Sequence, residues 1–145
     1  MMRSAAHRLG SWTSADFVAL VETCVLAVVV EIALRVLPLS TILAVQERVR
    51  RHRNQTNVDA AARARLARFA AAPYRAFAWR GTCLRQSLVL GALLRRRGVP
   101  ARVCFGVDRR GAALTGHAWV AVDGVRIGDE GLHFHELSRV GAWSA

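Results

Sequence analysis

The chain has 145 residues, enough for one domain with a packed core, and 53% of them are hydrophobic, which excludes a disordered polypeptide. Its formal charge of +11 comes from 21 basic residues, all arginine, as a GC-rich coding bias would produce. Few aromatics are interleaved with the arginine runs, and no helix-turn-helix or zinc-finger spacing is visible. The charge invites a nucleic-acid reading, which these features argue against; a basic surface also suits an acidic peptide or protein partner.

Residues 1–12 carry Arg3 and Arg8 but are not followed by a clean apolar run with a cleavage site, so a secretory signal is not expected. Ser14 or Asp16 is the candidate cap of a first helix running to Val36, which Pro38 ends. Residues 17–45 are very apolar, yet Glu22, Glu31 and Arg35 interrupt them. A spanning helix needs about 20 mainly apolar residues, and each central charge costs roughly 2.5–3.5 kcal/mol on insertion scales. Glu31 and Arg35 also stand at a favourable i,i+4 spacing. A buried or partner-facing helix is the expectation, with no transmembrane span. A shorter helix over residues 40–49 leads into a polar linker, 50–57. An Ala/Arg-rich helix over 58–72 follows, capped by Asn57 and stopped by Pro73. This divides the chain into an N-terminal helical region with linker, 1–56, and a core, 57–145, together forming one compact unit.

The character changes at Trp79-Arg80-Gly81-Thr82-Cys83. Gly81 gives turn freedom and Thr82 is a good N-cap, so Cys83 falls in the first turn of a Leu-rich helix reaching about Arg97. Gly98 is its expected C′ residue, and Pro100 follows. Strands are expected over 101–107, 117–122 and 125–129, with Asp123-Gly124 turning the second into the third. Residues 130–145 have no clear period. The fold class is α+β: a Cys-bearing helix packed on a small antiparallel sheet, preceded by apolar helices.

Three cysteines, Cys24, Cys83 and Cys104, are too few for a disulfide framework, and no Cys/His cluster has metal spacing. No metal or other cofactor is expected, and the thiols read as those of a reduced, cytoplasmic protein. Cys24 and Cys104 lie inside a helix and a strand, where a cysteine is ordinarily a small core residue. Cys83 differs. A helix N-terminus favours a thiolate, and the unpaired first-turn N–H groups suit an oxyanion. His117 begins a strand in which it shares a face with Trp119 and Ala121; alone, it is as readily a satisfied core histidine. A carboxylate that orients it would come from the next strand. A two-residue Asp123-Gly124 turn sets His117 opposite Glu130, whereas a three-residue loop or a bulge sets it opposite Asp129. Sequence physics leaves both open.

At these residues the chain resembles the lasso-peptide leader peptidases, the stand-alone protease part of the lasso-peptide B protein, which are relatives of the bacterial transglutaminase-like (papain-like) cysteine proteases. Cys83-Leu84 opens a Leu-rich helix ending in Arg95-Arg96-Arg97-Gly98; Phe105-Gly106-Val107 matches the Gly-Val strand; His117-Ala118-Trp119-Val120 and the later Asp129 complete the pattern. Gln86 stands where relatives often carry Arg, and Ala121 where Glu often follows the His-Ala-Trp-Val run.

The resemblance implies a Cys83-His117-Asp129 triad that removes the leader from a ribosomally made precursor through an acyl-enzyme, with Asp129 preferred over Glu130. Trp79 and Gln86 are candidate second oxyanion donors. The chain reads as too short to include a leader-binding domain, so the resemblance also implies a separate leader-recognition protein. That protein would dock on the apolar N-terminal helices or the Arg-rich surface. An ATP-dependent lasso cyclase would be a further partner; this chain has no phosphate-binding Gly-rich loop of its own. The rival readings are a transglutaminase-like acyl transferase and a non-catalytic basic scaffold or nucleic-acid-binding protein.

Overall fold

The computed structural model of the chain describes residues 13–51, 58–76, 82–110, 113–128 and 135–137. Its helices are α1 (Ser14–Val36), α2 (Leu39–Arg51), α3 (Ala60–Ala76) and α4 (Thr82–Arg96). Its strands are β1 (Ala101–Arg110), β2 (Ala113–Val122), β3 (Val125–Ile127) and β4 (His135–Glu136). The strands form one antiparallel sheet in the order β3-β2-β1-β4. Helix α4 packs on β1 and β2, and α1, α2 and α3 pack around α4. This is the expected α+β arrangement. The linker positions 52–57 and the segment 129–134 lie outside the described residues.

Each helix end has a local cause, and several differ from expectation. The cap of α1 is Thr13, one residue before the expected Ser14. Asp16 is its partner in a capping box, accepting from the Thr13 backbone N–H while the Thr13 hydroxyl accepts from the Asp16 N–H. Hydrogen bonds donated to the Asp16 carboxyl by the Thr13 backbone N–H and by the Thr13 hydroxyl, with a smaller contribution from Arg65, hold it below its ordinary value. At α3 the cap is Asp59, whose Oδ1 accepts from Ala62 at 2.7 Å, and Asn57 lies outside the described residues. Pro73 does not stop α3 but lies within it, buried. Tertiary packing there outweighs the lost backbone hydrogen bond, since Ala70 and Tyr74 beside it are almost fully buried. Helix α4 ends as expected. Gly98 takes φ 77°, its N–H bonds to the Arg95 carbonyl at 2.9 Å, and the Val99 N–H bonds to the Leu94 carbonyl at 3.0 Å. This pair of bonds is a Schellman motif, with buried Val99 as its apolar lock.

The core joins all these layers: Ala27 and Val30 of α1, Ile42 of α2, Leu66 of α3, Leu88 and Leu93 of α4, and Val120 and Val122 of β2 belong to one cluster. Helix α1 runs antiparallel to α4, because Glu22 reaches Arg96 and Arg97 near the end of α4 whereas Glu31 reaches Arg85 near its start. The expected local partnership of Glu31 with Arg35 is thus replaced by a tertiary one. The two glutamates that interrupt the apolar run lie on the flanks facing α4. The opposite face exposes Phe17, Val21, Val25, Val28 and Ile32. By length and composition α1 could cross a membrane, with a mean hydropathy of 2.5 in its most apolar window, 22% of which is buried.

Candidate active site

Cys83 is the second residue of α4, so its backbone N–H is among the first-turn groups with no partner inside the helix. Its side chain is half-buried, as are Leu84, Arg85 and Gln86 beside it. The expected turn at Gly81 and the Trp79 donor lie outside the described residues.

His117 stands in the middle of β2, which begins four residues earlier than expected, and it pairs with Gly106 of β1. A side chain at Gly106 would force its neighbours to shift. A Cβ there would come within 2.8 Å of the Trp119 ring and 2.7 Å of the His135 carbonyl oxygen. Trp119 therefore lies over the glycine and stacks beside the imidazole, with ring centroids 6.2 Å apart and planes at 21°. The Arg126 guanidinium, from β3, sits 4.1 Å from the indole centroid. This stack limits where the His117 ring can turn. The spacing of His117 and Trp119 on one strand face predicts their contact; the roles of Gly106 and Arg126 depend on cross-strand register and were missed in the sequence.

Cys83 and His117 both line one cavity of about 570 Å³. Helix α4 contributes Cys83, Gln86, Ser87 and Leu90 to it, and β2 contributes His117, Ala118, Trp119 and Val120. The third wall is α3. It is held close to the sheet at Gly128, where φ is 76° and a Cβ would fall 2.7 Å from that of Ala67. Gln86, one of the two expected oxyanion candidates, thus lines the same space as the thiol.

The Asp123-Gly124 turn is the two-residue form. Val122 pairs with Val125, and both turn residues have positive φ, 51° and 80°. The three-residue alternative is excluded. The described β2-β3 ladder ends at Ile127, followed by Gly128 with left-handed φ; of the two routes that set Asp129 opposite His117, only the bulge is left. Asp129 and Glu130 themselves lie outside the described residues.

The other two thiols are placed differently. Cys24 is exposed on α1, not buried as a small core residue would be. Cys104 is buried in β1, and its thiol is pushed up to about 11, mainly by burial and then by Glu136. Among the described residues no group of three or more His, Cys, Asp or Glu is gathered as a metal site.

A family model described as the transglutaminase-like superfamily matches residues 24–139, most of the chain. No curated protein and no solved structure matches it.

Proposed function

Because this chain belongs to the transglutaminase-like superfamily, we propose that it is a cysteine peptidase that removes the leader peptide from a lasso-peptide precursor. Membership fits a cysteine peptidase or an acyltransferase, and the leader-peptidase reading adds the resemblance around Cys83 and His117. The observation that carries it is the shared cavity: a first-turn thiol on α4 and an imidazole on β2 line the same space.

In this reading the Cys83 thiolate attacks the carbonyl at the leader–core junction, and the first-turn N–H groups of α4 receive the oxyanion. His117 gives its proton to the departing amine of the core peptide as the C–N bond breaks. Asp129 holds the imidazole in the required tautomer. Water, deprotonated by His117, then attacks the thioester and releases the leader as a carboxylate. Trp119, stacked beside His117, limits the rotation of the ring. A separate leader-recognition protein brings the precursor, an ATP-dependent cyclase consumes the freed amine, and all three meet in the cytoplasm.

The test is to co-purify the chain with the proteins encoded beside it and to follow precursor cleavage by mass. Hydrolysis leaves a leader carrying one added water, whereas transfer to an added amine leaves the amide and selects the acyltransferase reading. Cleavage should vanish in Cys83→Ala with the fold retained. Unchanged cleavage in that variant would overturn the proposal.

A further inference from the structure

We infer that the cavity selects a substrate carrying carboxylate side chains close to the reacting bond, with Arg68 and Arg75 of α3 as the residues that select it. This rests on the peptidase reading of the same cavity and adds a substrate class to it.

One stripe of α3 forms the wall facing Cys83 and His117: Ala64, Ala67, Arg68, Ala71 and Arg75. The alanines keep that wall low, so an extended peptide can lie along it. The two arginines stand above them, seven residues apart, which is about 10 Å along the helix axis. An extended chain advances about 3.3 Å per residue, so one peptide segment can meet both.

Among the described residues nothing compensates the charge of this wall. None of the described residues lining the cavity is an aspartate or glutamate. Five other helical arginines are engaged. Arg65 meets Asp16, Arg85 meets Glu31, Arg96 and Arg97 meet Glu22, and Arg95 donates to Gln46. No carboxylate of the described residues pairs with Arg68 or Arg75, and both are exposed into the cavity mouth.

An acidic peptide explains these features better than a nucleic acid does. Single-stranded nucleic acid is held by stacking as well as by charge. Among the described residues lining the cavity the indole is that of Trp119, which is only 2% exposed and already packed over Gly106, His117 and Arg126. It has no free face for a base. Solvent-facing charge pairs are individually weak, so each arginine should contribute a factor of roughly three to five and the pair about tenfold.

The experiment measures binding in the full chain carrying Cys83→Ala, which prevents turnover. Fluorescein-labelled peptides of alternating Glu and Ala are compared by anisotropy with Gln-Ala peptides of equal length. The Glu peptide should bind about tenfold tighter at low salt, and Arg68→Gln with Arg75→Gln should abolish that preference. Arg35→Gln with Arg102→Gln, which removes the same charge from exposed positions elsewhere, should leave it intact. Equal binding of the two peptides, a preference surviving the Arg68/Arg75 pair of changes, or an equal loss in the control pair would each overturn the inference. So would a single-stranded oligonucleotide of matched charge that binds more tightly through the same two arginines. Because the readout is binding, failure of the peptidase reading shows separately, as an acidic preference retained by a chain that cleaves no precursor.

Discussion

Helix α4 has two ends that do opposite things. Toward its C-terminus Leu93 and Leu94 are fully buried, Arg95 is held by Gln46 of α2, and the Schellman motif at Gly98 turns the chain directly into β1. Toward its N-terminus residues 83–86 are only half-buried, and the first turn faces a cavity of about 570 Å³. A helix is rigid over such a length, so the packed end fixes the position of the open one. Reactive groups can then stand at a wet edge without a packed core around them, and altering them should leave stability nearly untouched.

The largest effect that could break this contrast is at the open end. Cys83→Ala and His117→Ala should each lower precursor cleavage by several orders of magnitude, with Asp129→Asn less severe. The thermal midpoints of the Cys83 and His117 variants should stay within a few degrees of the parent. A collapse in midpoint would mean that the first turn is part of the packed core after all.

Thiol chemistry sharpens the same contrast between open and packed positions. A thiol pushed up to about 11 disfavours its anion, so at pH 8 only about one Cys104 in a thousand is thiolate. Iodoacetamide at that pH, read by peptide mass mapping, should label exposed Cys24 and spare Cys104 until the protein is unfolded. Rapid labelling of native Cys104 would show that β1 is not the closed strand described here.

Changes at the packed end should behave in the reverse manner. Leu93→Ala removes a fully buried side chain and should cost about 2–5 kcal/mol in urea denaturation. Smaller again, Gly98→Ala forces a side chain into left-handed φ and should cost about 1–2 kcal/mol. A cost below about 0.5 kcal/mol for Leu93→Ala would remove the anchor from the account.

Much of this was legible in the sequence because local signals agreed with the fold. The Leu pattern, the Gly98-Val99-Pro100 stop and the β-branched strands lie where short-range chemistry puts them. The start of a helix at Cys83 and the strand face shared by His117 and Trp119 were likewise visible. What was not legible depended on distant partners. Pro73 stays helical because α3 is packed there, and Glu31 turns to Arg85 across helices rather than to Arg35 along its own. The two-residue strand β4 has no period to detect; it exists because the Leu137 N–H reaches the Phe105 carbonyl and Gly106 leaves room beside it. The arginine wall of α3 escaped for the same reason, since its spacing means nothing until the cavity opposite is known.

The central claim is that the Cys83 sulfur and the His117 ring act as one pair. A short bifunctional haloketone, able to alkylate a thiol and an imidazole only a few ångströms apart, tests it without any substrate. The account predicts a single intramolecular bridge joining the Cys83 and His117 peptides, absent when either residue is replaced by alanine. Cys83 alkylated at one end only, with His117 never joined to it, would contradict the account.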